Sequence, residues 1–114
     1  MKHFMKLKND PFCKIKNESK VIEMRLFDEK RQKLNVNDVI EFTDMSTNEK
    51  MLCEVTNLYR YKDFDELYKN HDKTSIGYNE NEIANPNDMS MYYSLDDIKK
   101  YGTLAIEIRK IKRQ

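Results

Sequence analysis

Tryptophan is absent from the 114 residues, and glycine, proline, cysteine and histidine occur only twice each. So little glycine and proline excludes collagen-like and low-complexity chains, and 39% hydrophobic with 36% charged residues is the composition of a chain that folds alone. Cys13 and Cys53 stand far apart with no CxxC spacing, which predicts free thiols in a reducing compartment. His3 and His71 have no nearby ligand set, so there is no zinc motif. No run approaches the roughly 18 apolar residues of a membrane span, and the opening MKHFMKLKND lacks the apolar stretch of a secretory signal. The expectation is a cytoplasmic protein with no membrane partner and a single domain over residues 1–114.

Net charge is scarce as well, at a formal +1, but its distribution is uneven. Residues 1–36 carry ten Lys/Arg against five Asp/Glu, residues 37–100 seven against fourteen, and residues 101–114 four against one. If the basic ends meet in the fold they form a positive face able to attract phosphate backbones. Otherwise they are solvated charge, and the acidic middle would suit a basic protein partner.

What is present is mostly β-periodic. HFMKLK reads as a strand, and Asp10-Pro11 as an N-cap followed by proline in the first turn of a helix from Pro11 to about Asn17, with Phe12 and Ile15 inward. In KVIEMRLF, Ile22, Met24 and Leu26 alternate with Glu23 and Arg25 at the two-residue period of a strand. After the polar turn DEKRQKLNVND come two more strands, DVIEFTDM and MLCEVTNLYRY, joined by a hairpin at STNEK. Asp63 with Glu66, and Ser94 with Asp97, announce two further short helices, the first over about Phe64 to Asn70 and the second ending at Gly102. The chain closes on TLAIEIRKI, another alternating strand. The stretch from His71 to Tyr93 exceeds the roughly 12 to 15 residues of an ordinary connection, so it hides an element or serves a function. The order β α β β β α (loop) α β predicts an α+β fold: a small, mostly antiparallel β-barrel with three short helices.

The residues KVIEMRL and, about a dozen positions on, NDVIEF resemble the ASCH domain family, a branch of the PUA-like β-barrel superfamily. The family pattern "K-x-x-E-x-R" falls on Lys20, Glu23 and Arg25, and "G-D-x-I-x-F" on Asn37, Asp38, Ile40 and Phe42. YYSLDDIKKYGTLAIEI resembles the closing helix and strand of small bacterial and archaeal members. There are two departures: Glu18 stands where the turn before the lysine usually has glycine, and Asn37 replaces the glycine of "G-D". The resemblance implies a barrel with a cleft beside the K-x-x-E-x-R strand, and RNA binding or RNA-linked chemistry. Some members resemble amidohydrolases acting on acetylated cytidine, whose strand carries a lysine and, three residues on, a threonine proposed as nucleophile. Lys20 keeps the lysine, but Glu23 occupies the threonine position and has no hydroxyl to acylate.

Glu23 and Arg25, two apart on a strand, share a face. On a cleft wall Arg25 offers a planar fork for phosphate or a base edge, Lys20 a point charge and Glu23 an acceptor for an amino group; alternatively the three are an ion-paired strand that holds the barrel. Tyr93 and Ser94, at a helix start, are further candidates for an RNA or nucleotide site, and Tyr59, Tyr61, Tyr78 and Tyr92 could stack on bases or edge the core. If the protein is an enzyme, Lys20 and Glu23 form its proton-transfer pair. No cofactor is expected; Mg²⁺ or Mn²⁺ enters only under a ribonuclease alternative using Glu23, Asp28 and Glu29.

Overall fold

A computed structural model describes residues 1–112; Arg113, counted above in the basic C-terminal segment, lies outside them. Five strands make one curled sheet: β1 (Lys2–Leu7), β2 (Ile22–Leu26), β3 (Val39–Asp44), β4 (Lys50–Tyr61) and β5 (Thr103–Lys110), in the order β1-β3-β4-β5-β2. Only β1 and β3 pair in parallel; the other three pairings are antiparallel, of which β3–β4 is the short-linked hairpin while β4–β5 and β2–β5 join strands distant in sequence. The hydrogen-bond ladder runs from β1 to β2 without joining those two edges, so the sheet is a half-barrel with a mouth between them.

Helix α1 (Asn9–Lys16) begins before Pro11, and this corrects the predicted cap. Lys8 occupies the N-cap position with no side-chain bond, while Asp10 sits inside the first turn and pairs with Lys14 at 2.9 Å. Asn9 is drawn into the turn by Asp44, whose carboxylate accepts its side-chain amide at 2.7 Å. Helices α2 (Phe64–Asn70) and α3 (Leu95–Tyr101) keep their predicted caps: Asp63 accepts from Glu66 N–H at 2.9 Å and Ser94 from Asp97 N–H at 3.1 Å. Gly102 ends α3 with φ +71°, and a Cβ there would lie 2.9 Å from the Tyr61 carbonyl oxygen, so only glycine fits.

A bulge between Val55 and Asn57 gives β4 two alternations. Before it Met51, Cys53 and Val55 point into the core shared with α1; after it Leu58 points there, and Tyr59 and Tyr61 turn to the opposite face under α2. One core gathers Phe12, Ile15, Ile40, Phe42 and Ile106, and the other holds Ile22, Met24, Leu26, Phe64 and Leu67. The long stretch after α2 is packed rather than looped out: Ile76 and Met89 are buried in the second core, and Pro86–Met91 is a 3₁₀ helix.

The basic ends do meet. Lys110 donates to the Lys16 carbonyl at 2.8 Å and Lys112 reaches Glu18 at 2.6 Å. Lys16 is itself paired with Glu49, at 2.6 Å, so of the three lysines that meet here Lys16 and Lys112 are neutralised locally and Lys110 is not.

Candidate functional site

Register explains where the charges of β2 go. Glu23 pairs opposite Ile106 and Arg25 opposite Leu104, and residues paired across a ladder share a face. Glu23 and Arg25 therefore point into the half-barrel, onto the face that carries the first core, while Met24, opposite Ala105, faces the second. An apolar surrounding of this kind makes an ion expensive unless it is paired.

Each of the three charged side chains has an ionic partner. Lys20, just ahead of β2, places its Nζ 3.3 Å from Glu23 Oε1 and donates to the Ile76 carbonyl at 2.9 Å. The other carboxylate oxygen of Glu23 accepts from Arg25 Nη1. Arg25 also donates through Nη1 to the Met24 carbonyl and through Nη2 to the Lys6 carbonyl of β1, both at 3.2 Å, so its guanidinium spans the mouth between the two sheet edges. Lys20 is 5% and Glu23 3% exposed, whereas Arg25 is half-buried. Burial holds the Lys20 ammonium below its ordinary pKa; Glu23 opposes that shift, and Arg25 and Lys14 add to it.

These three side chains form one wall of an open cleft of about 590 Å³. The β1–α1 connection contributes Lys6, Lys8 and Lys14 to its rim, and the segment between α2 and α3 covers it. Lys14 anchors that cover by donating to the Gly77 carbonyl at 2.8 Å. Tyr78 braces it from behind, bonded to Tyr68 at 2.9 Å and to Asp88 at 2.6 Å.

Tyr93 lines the cleft as expected, stacked on Phe64 with ring centroids 5.8 Å apart. Its hydroxyl makes no hydrogen bond among the described residues, and burial raises its pKa, with Arg25 pulling it back down and Glu23 adding to the rise. Ser94 is not brought to the cleft wall: it is exposed, and its hydroxyl is spent on capping α3. Asp28 pairs with Arg31 at 3.3 Å and Glu29 accepts from Tyr101 at 3.4 Å, so neither converges on Glu23. Among the described residues no three His, Cys, Asp or Glu side chains are grouped to hold a metal ion. Tyr59 and Tyr61 lie elsewhere, edge-on to His71. Tyr92 is exposed at the cleft with Lys8 Nζ 5.1 Å from its ring centre.

Sequence reasoning missed Lys14 and the Ile76–Gly77 carbonyls. The available signal was Gly77 itself, one of two glycines, in a stretch too long to be a plain connection.

The turn before Lys20 holds Glu18 at φ +69°, and Asn37 adopts φ +79°, so both positions where the family pattern has glycine keep a left-handed backbone. The ASCH domain profile matches residues 5–112. The chain belongs to the ASCH domain family. Among solved structures, hypothetical protein PH0355 is 28% identical and superposes with a TM-score of 0.83 over 97% of this chain and 100% of that one. The solution structure of protein PF0455 from Pyrococcus furiosus is 29% identical, with a TM-score of 0.77 over 98% and 99% of the two chains. A comparison with curated protein sequences finds no match. As an ASCH domain, the chain has the expected α+β, PUA-like architecture, a five-stranded half-barrel with three α-helices among the described residues. None of the described helices is long and apolar enough to cross a membrane.

Proposed function

We propose that this ASCH domain binds RNA or a nucleotide in the cleft beside β2. The observation that carries the reading is the meeting, on one open wall, of Lys20, Arg25 and the Tyr93 hydroxyl, which has no hydrogen-bond partner among the described residues, with Tyr92 exposed at the mouth. Cations and a guanidinium fork suit phosphate, and exposed aromatic faces suit unpaired bases. Glu23, each of whose oxygens already holds a cation, acts as the brace that fixes Lys20 and Arg25. The two free thiols accord with work in a reducing cytoplasm. Fluorescence anisotropy with short single-stranded RNA across a salt series tests the proposal. Binding that weakens with salt, and weakens further in Arg25→Ala and Tyr92→Ala, supports it; no binding at low salt, or unchanged binding in both variants, refutes it.

A second reading, hydrolysis of a modified nucleoside such as acetylated cytidine, draws on the buried Lys20, whose lowered pKa and contact with Glu23 suit proton transfer. Its check is product formation that Lys20→Ala abolishes.

A further inference from the structure

We infer that the inner end of the cleft takes a phosphate group of the nucleotide, leaving the base at the tyrosine-lined mouth. This rests on the binding proposed above and concerns which part of the ligand goes deep.

The first ground is charge. Two cations, Lys20 and Arg25, share the single carboxylate of Glu23, so the inner wall carries one positive charge in excess. Lys14 stands close behind; its carboxylate partner Asp10 projects into water, with a side chain 75% exposed. Asp28 and Arg31, which do not line the cleft, pair with each other at 3.3 Å. The cleft also holds Glu82 and Asp88 on the covering segment, where they accept from the Asn79 N–H and the Tyr78 hydroxyl, both at 2.6 Å; these neutral donors leave their charges in place, and Lys6 and Lys8 of the same lining offset them. A poorly solvated excess cation calls for an anion, and one phosphodiester supplies the missing charge.

The second ground is the donor inventory. Arg25 spends three of its five N–H donors, on Glu23, Met24 and Lys6. The Tyr93 hydroxyl adds a donor with no partner among the described residues, and the field of Arg25 acts on it directly. The inner end therefore keeps unspent donors, two on Arg25 and one on Tyr93. A base edge, which offers both kinds, matches that inventory less well than phosphate oxygens, which only accept. The rim adds what the inner end lacks, an exposed aromatic face on Tyr92 and exposed apolar surface on Met45, with the Lys8 ammonium 5.1 Å from the Tyr92 ring.

The test is calorimetric titration of the intact protein at low salt with AMP, CMP, adenosine, cytidine and inorganic phosphate. The expected result is that each nucleotide binds at least about tenfold tighter than its nucleoside and that inorganic phosphate competes with it. Arg25→Gln, which makes the inner wall neutral, should collapse that ratio toward one. Glu23→Gln, which leaves both cations uncompensated, should enlarge it, a result that a purely structural role for Glu23 does not produce. The ratio within each variant is insensitive to partial unfolding, and the wild-type ratio decides the matter if a variant fails to fold. Equal binding of nucleotide and nucleoside, or no competition by phosphate, overturns the inference. If RNA still binds in a salt-dependent way, only the placement of phosphate is lost; if neither RNA nor nucleotide binds, the underlying reading falls with it.

Discussion

Gly77 lies against Lys20 so closely that a Cβ on the glycine would stand 3.3 Å from both Cδ and Nζ of the lysine. The same glycine has φ +117°, a conformation L residues rarely adopt, and its carbonyl receives Lys14. One backbone position thus fixes two ammonium groups of the cleft. Gly77→Ala should cost about 1 to 3 kcal/mol of stability through backbone strain and displacement of the Lys20 side chain. Urea denaturation measures it, and an unchanged midpoint would show that the lysine yields freely.

The buried Lys20–Glu23–Arg25 group should behave as a unit. Glu23→Ala strands two cations and should destabilise the protein by about 3 to 5 kcal/mol, whereas Lys20→Met combined with Glu23→Leu should cost less than the sum of the two single changes. A double-mutant cycle by chemical denaturation gives the coupling, and simple additivity would mean that the side chains act independently.

Acid stability should depend on Asp38. Its carboxyl is held below its ordinary pKa chiefly by the hydrogen bond with His3, 2.8 Å away, and further by the Asn35 N–H and the N-terminal amine, against a smaller upward push from burial. A carboxylate whose folded pKa lies below its unfolded value of 3.8 contributes stability that is full above that value and lost as pH falls through the lowered one. Asp38→Asn should therefore be less stable than wild type at neutral pH, with the difference shrinking below about pH 4. Thermal melts across that range follow it; a gap that stays constant with pH would contradict the linkage.

Thiol labelling should separate the two cysteines. Cys13 is exposed on α1, whereas Cys53 is fully buried in the first core, and burial pushes its pKa up to about 12. A chromogenic disulfide reagent should modify one thiol of the native protein quickly and the second only on unfolding. Rapid loss of both would require opening of β4.

Much of this was legible in the residues. Alternation marked β2 and β5, the Asp63 and Ser94 caps began two helices, and the K-x-x-E-x-R pattern picked out Lys20, Glu23 and Arg25. Asp10 misled because its acidic side chain beside Pro11 looks like a cap, while the contact that decides where α1 starts, Asn9 to Asp44, is formed by residues distant in sequence. Ser94 was rightly placed at a helix start, but the capping bond takes its only hydroxyl.

The sequence by itself determined the elements and the company of three charges on β2, because strand period and capping are properties of near neighbours. Only the tertiary structure decided that those charges face inward at the mouth of a half-barrel. Which face of β2 meets the first core depends on its register with β5, which pairs Glu23 with Ile106. What closes over them depends on a segment more than fifty residues away, whose carbonyls at Ile76 and Gly77 receive Lys20 and Lys14. Long-range pairing of this kind leaves no local pattern in the chain, so the cleft becomes visible only when the sheet has curled.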